Sequence, residues 1–230
     1  LNTGSGNSVT FTADSDSNGT GNFTMLDLGD TIRAEGGSVT ISGANITIGN
    51  INTTGLDGSR TGGNITISTT RGNIGVERLT TRLNTNTGAG NISLAAMDGN
   101  VVLNDAVTTN GGNFTATTTT SGYFDSRSTA INAGSGSVTI STVGSSGGIG
   151  ADLGGITAGS LAVTTSGGRI DQSTSNARYL DIAGTASFDA GGNDIVLSNA
   201  PNNLRGSVAL TTTGTGNNAL LNNSAATTTL

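Results

Sequence analysis

Near the start of the chain, Asp14-Ser-Asp16-Ser-Asn18-Gly19 places oxygen-bearing side chains at alternate positions ahead of a glycine. Hard oxygen ligands at that spacing, followed by a residue that allows a sharp turn, are how a calcium loop begins. Asp14, Asp16 and Asn18 are therefore the candidate metal ligands, with calcium as the candidate cofactor. The twelfth position of such a loop ordinarily carries a bidentate glutamate. Here it is Met25, so Asp27 or Asp30 would have to close the shell from a loop folded differently. The competing reading is an Asx-rich loop whose side chains bond to nearby backbone amides.

Other candidates for chemistry are sparser. Arg169 and Asp171 flank the apolar Ile170 and would share a face, as a surface ion pair or as part of a site. The remaining acids, Asp57, Asp98, Asp105, Asp125, Asp152 and Asp194, are read as scattered, whereas glycoside hydrolysis needs a carboxylate pair at a set separation. With neither histidine nor lysine present to tune as a base, catalysis is not expected. Asn-x-Ser/Thr recurs at Asn18, Asn22, Asn45, Asn52, Asn64, Asn91, Asn113 and Asn222, as glycan acceptors or as stacked ladders. Threonine runs at 117–120, 211–213 and 227–229 read as runs and not as a Thr-x-Thr rank on one flat face, which weighs against an ice-binding solenoid.

Composition narrows the classes. The net charge is −6, from 15 acidic and 9 basic residues, every basic one an arginine. Without basic clusters, nucleic acid and anionic membrane are poor partners. The absence of cysteine removes disulfides, thiolate chemistry and most structural zinc sites. No apolar run approaches the length of a membrane span. Charged residues make up only 10% of the chain while Ile and Val recur periodically, which argues against disorder.

The elements that would position these residues come from a repeat. Gly62 to Leu79 holds two short alternations, Ile65/Ile67 and Ile74/Val76, each opened by Gly-Asn, then a third apolar point at Leu79. Period two marks half-buried strands, and glycine marks the corners between them. The first apolar residues of successive copies are Val39, Ile65, Ile92, Phe114, Val138, Leu161, Ala186 and Val208. The expected fold is all-β: a right-handed parallel β-helix, or β-solenoid, of roughly nine coils of about 22–27 residues, with three short strands per coil. Residues 1–230 are expected to form a single segment of a longer chain, with 1–35 an irregular first coil carrying an acidic loop insertion and 36–230 the regular repeats. The coil from Phe114 to Ile131 replaces aliphatics with Phe114, Tyr123 and Phe124, so its core should be wider or its loop should fold back.

The copies GGNITISTTRGNIGVERLTT, GSVTISTVGSSGGIGADLGGITAG and GGNDIVLSNAPNNLRGSVALTTTG resemble the repeat region of filamentous-haemagglutinin-like large exoproteins, the passengers of two-partner secretion. The resemblance implies an extracellular rod at the bacterial outer cell surface, serving adhesion, biofilm or filament structure. Its partners would be further coils of the same chain or identical subunits stacked end to end, and surface glycans or host receptors. The alternative is a carbohydrate-binding or polysaccharide-cleaving β-helix, although five Phe, two Tyr and no Trp leave little to stack on sugars.

Overall fold

A computed structural model describes residues 1–55, 61–82, 88–144, 148–172 and 178–225. Asp57 and the threonine run at 227–229 lie outside the described residues. The described chain holds strands and turns with no helix, and every strand pairing is parallel. It winds through three faces per turn in a parallel β-solenoid.

The first face is a nine-stranded sheet running from Val9–Thr12 through Val39–Gly43, Ile65–Thr69, Ile92–Asp98 and Phe114–Ser121 to Val208–Thr211. In it Val39, Ile65, Ile92, Phe114, Val138, Leu161, Ala186 and Val208 lie one above another, the residues that head each copy in the sequence. The second face begins at Phe23–Thr24 and the third at Thr31–Arg33. Both meet in Ile195–Leu204, a strand that carries the chain round from one to the other and joins them into one 16-stranded sheet. The solenoid makes about eight turns, slightly fewer than the roughly nine coils expected, because the ninth rung of the first face has no third-face strand after it among the described residues. Nine rungs at a strand spacing of about 4.8 Å span roughly 38 Å.

Alternation explains the core. Every second residue of a strand points inward, so Ile41, Ile67, Leu94, Ala116, Ile140 and Val163 form a second buried column beside the first. The coil carrying Phe114 and Phe124 keeps the inward columns in register, and slips only beyond Thr118, where Ser121 pairs with Asp98. Small neighbours accommodate the rings: Ala116 sits two residues along from Phe114, and Ala151 stacks directly on Phe124. The two rings meet edge to face at 6.2 Å. One rung of the second face departs from strict alternation. The register slips between Ile149 and Ala151, so Ala151 occupies the inward column and Ile149 lies level with Arg169.

The corners are made by hydroxyls and amides that find partners in the backbone, except Thr54, whose buried hydroxyl has none. Thr53, Thr81 and Thr109, all buried, donate to the carbonyls of Gly63, Gly90 and Gly112 at the corner leading into the first face. At the corner leaving it, Thr69, Thr118, Thr142 and Thr165 do the same to Gly72, Gly122, Gly150 and Gly168. Where Ile195–Leu204 bends, the buried Asn202 accepts from Leu180 N at 2.9 Å and from Gln172 Nε2 at 2.7 Å, and donates to Leu197 O. These pairings satisfy interior groups that would otherwise each cost about 1–3 kcal/mol.

Candidate functional site

The candidate calcium ligands lie together in the loop from Ala13 to Asn22, which crosses the corner between first and second faces. Asp14 adopts φ +58°, Ser17 +55° and Gly19 +81°. These turns aim the oxygens at the protein's own donors. Asp14 accepts from Gly19 N at 3.0 and 3.1 Å and from the hydroxyl of Thr70, two coils away. Asp16 accepts from Asn18 Nδ2 at 2.6 Å, and Asn18 Oδ1 accepts from the amide and hydroxyl of Thr20. Among the described residues no three His, Cys, Asp or Glu side chains are grouped as a metal site. The Thr70 hydroxyl is the chief reason the Asp14 carboxyl titrates below the ordinary carboxylate range. Thr70→Val should raise the Asp14 pKa toward its ordinary value in a carbon-detected NMR titration; an unchanged pKa would show that the loop is not tied down through Thr70.

Beside this loop lies a shallow groove of about 340 Å³, lined by Asn18, Thr70, Arg71, Met97, Asp98 and Thr120. The loop forms one wall, with Gly19 close to the Arg71 side chain. Asp98 accepts from the Ser121 hydroxyl at 2.7 Å. The groove offers a guanidinium, a carboxylate and hydroxyls around the exposed Met97.

Three acids that look scattered in the chain are stacked in space. Asp125, Asp152 and Asp171 occupy one column on three consecutive rungs of the second face. Arg127 grips Asp125 with Nη2 at 2.6 Å and lies 3.5 Å from Asp152 through Nε, while Arg169 pairs with Asp171 at 2.8 Å. Asp125 and Asp152 are 9% and 7% exposed, so both carboxylates sit largely out of water. Burial drives the Asp152 pKa upward, opposed by Arg127 and reinforced by the like charges of Asp125 and Asp171. Because the folded state holds this proton more tightly than the unfolded chain, the contribution of Asp152 to stability is present at acid pH. It is lost as pH rises from the unfolded carboxylate value through the raised folded one. Asp152→Asn should therefore stabilise the fold at pH 7 and lose that advantage on acidification. A denaturant titration at the two pH values checks the sign. Arg127→Ala should have the opposite effect, costing about 2–3 kcal/mol at pH 7, because two neighbouring carboxylates lose their shared cation; equal stability of that variant and wild type would show the column to be solvated.

Five asparagines of the Asn-x-Ser/Thr sites, Asn22, Asn45, Asn64, Asn91 and Asn113, stand in ladders, which Asn73 and Asn100 extend. Asn22, Asn45 and Asn73 each accept, through Oδ1, the backbone amide of the next rung's asparagine, and Asn100 accepts that of Tyr123. Asn64, Asn91 and Asn113 do likewise along the edge of the first face, ending on Ser137 N.

The first face also holds what the threonine runs conceal. Its outward residues form two columns: Thr10, Thr40, Thr66, Ser93, Thr115, Thr139, Ala162, Ser187 and Ala209, then Thr12, Ser42, Ser68, Ala95, Thr117, Ser141, Thr164, Asp189 and Thr211. This is a Thr/Ser-x-Thr/Ser rank on one sheet, contrary to the expectation drawn from the runs. The chain hides it because Thr66-Ile67-Ser68 and Thr139-Ile140-Ser141 register as strand alternation, while conspicuous runs such as 117–120 contribute one outward position and then leave the sheet's core register. Among the described residues, no hydroxyl of these two columns makes a hydrogen bond to another protein group. Asp189 is the one charged residue in them.

Residues 135–211 match a family model described as repeats of unknown function (DUF5649). That stretch covers the rungs from Ser137 to Thr211, including Asp152, Asp171 and the later members of both hydroxyl columns. No curated protein and no solved structure matches the chain.

Proposed function

We propose that the chain is a structural and adhesive rod, belonging to a secreted surface or filament-forming protein on the outside of a bacterial cell. The observation that supports this most is the state of the core at its two outermost rungs. Among the described residues, every apolar side chain that packs on the core while only partly buried, Phe11, Phe23 and Met25 on one side and Leu210 and Leu221 on the other, belongs to the first or last rung. Between them the in-register stack carries no break in its first face. A solenoid rung covers its neighbour's apolar side chains and pairs its strand edges, so another rung would complete both ends. That rung would come from further coils of the same chain or from an identical subunit stacked end to end. The crossover rule gives the solenoid a right hand. Surface glycans or receptors would engage its sides, where the groove beside the Ala13 to Asn22 loop offers a guanidinium, a carboxylate and hydroxyls.

Electron microscopy across a concentration series tests the reading, alongside adhesion of beads coated with the chain. Stacked particles one solenoid wide that lengthen with concentration, on beads that adhere to cells, are expected. Particles fixed at roughly 38 Å at every concentration, together with beads that do not adhere, would overturn it.

A further inference from the structure

We propose that the first face is an ice-binding surface, recognising an ordered lattice of water. Neighbouring rungs place equivalent side chains about 4.8 Å apart, and positions two apart on a strand lie about 6.7 Å apart, giving a two-dimensional grid. Water oxygens in hexagonal ice recur at spacings of the same order in two directions. Threonine suits such a grid because its branched side chain is stiff and sets a methyl and a hydroxyl in fixed relation. Five of the first six rungs carry threonine in the first column. The strands beneath are paired on both sides over the inner rungs, so the grid keeps its shape.

Hydrogen-bond accounting points the same way. Inward and corner threonines donate to glycine carbonyls, and the edge asparagines serve the next rung. The outward hydroxyls of the first face have no such use among the described residues. Charge is displaced too: Asp125, Arg127, Asp152, Arg169, Asp171 and the Asp181–Arg205 pair all belong to the other two faces or their corners. Charged groups orient their hydration strongly and would disturb a lattice; the two columns hold one, near their far end.

Two other occupants fit less well. A dry contact with a second protein would strip water from many hydroxyls, which is unfavourable unless each is re-paired, and the two columns offer no large apolar or aromatic anchor. A polysaccharide chain binds through aromatic platforms, and these columns carry no aromatic residue.

The test grows ice slowly from a dilute solution of the chain and measures how much protein enters the solid, while cryomicroscopy follows ice-grain size during annealing. Wild type should be enriched in the ice and hold the grains small. Thr66→Lys combined with Thr115→Lys should lose both effects, and Thr47→Lys with Thr157→Lys, on the other faces, should keep them. Circular dichroism establishes that each variant is folded; should the lysine pair unfold, Thr66→Val with Thr115→Val, which keeps shape and removes the hydroxyls, takes its place with the same expected loss. Exclusion of wild type from ice overturns the proposal, as does retention by the first-face variant. A wild-type dimer in sedimentation, or retention on an immobilised neutral polysaccharide, that the first-face substitutions abolish would reassign the face to a second copy or a glycan.

Discussion

Replacing Gly90 with alanine should lower stability by more than about 3 kcal/mol, whereas the same change at Gly75, one coil earlier, should shift it by less than about 0.5 kcal/mol. Gly90 lies at the corner entering the first face, where each rung's glycine rests on the carbonyl of the rung before. A Cβ there would stand 2.1 Å from Gly63 O and 2.5 Å from Gly63 C, both main-chain atoms. That carbonyl cannot move aside freely, because it already accepts the buried Thr53 hydroxyl at 2.6 Å. The chain on the Gly90 side is held equally, by the Thr81 hydroxyl on its own carbonyl at 2.7 Å. Relief would require adjacent rungs to separate, and each rung is bonded along the axis to its neighbours. At Gly75 an added Cβ meets nothing within 4 Å. The Gly90 variant should melt roughly 6–12 °C lower by differential scanning calorimetry. Equal melting of the two variants would mean that the corners are loose.

Phe124→Ala should cost about 3–5 kcal/mol, and adding Ala151→Leu should recover some of that loss. Phe124 is fully buried between Val101 and Ala151 in the inward column of the second face and touches the Phe114 ring. Truncation leaves a hole whose floor is the small Ala151, so a larger residue on the next rung can grow into it. Ala151→Leu alone forces extra methylenes against an intact ring and should cost about 1–3 kcal/mol. The double variant should therefore be more stable than the sum of the two losses implies, by on the order of 1 kcal/mol or more in a double-mutant cycle. Strict additivity would show that the two side chains are not stacked neighbours.

How far the sequence can be read depends on which dimension carries the information. The inward columns are legible because Val39, Ile65, Ile92 and their successors repeat at near-constant spacing, and a residue one place out of phase would point to solvent. The aspartate column is not. Asp125, Asp152 and Asp171 are separated by loops of different lengths, and the slip between Ile149 and Ala151 shifts the register just before Asp152. Stacking in space is then uncoupled from spacing in the chain. The same slip puts the small Ala151, and not the larger Ile149, in the inward column. The Asp14 to Gly19 pattern is legible as a turn with oxygens at alternate places, but the chain alone does not reveal that Thr70 reaches across two coils to Asp14. The hydroxyl rank is written plainly in Thr-Ile-Ser and Thr-Ala-Thr triplets, yet only the rung-to-rung register turns them into a surface.

Direct measurement of rung height is the sharpest test of the central claim that equivalent residues stack rung on rung in parallel. The chain contains no cysteine, so spin-label pairs can be introduced cleanly on the first face, with one label at Thr40 and the other at Thr115 or Ser187. Pulsed dipolar spectroscopy should give backbone separations of roughly 14 Å and 29 Å, for three and six rungs at about 4.8 Å each. Separations that do not grow in proportion to rung number, with Ser187 as near to Thr40 as Thr115 is, would contradict the solenoid.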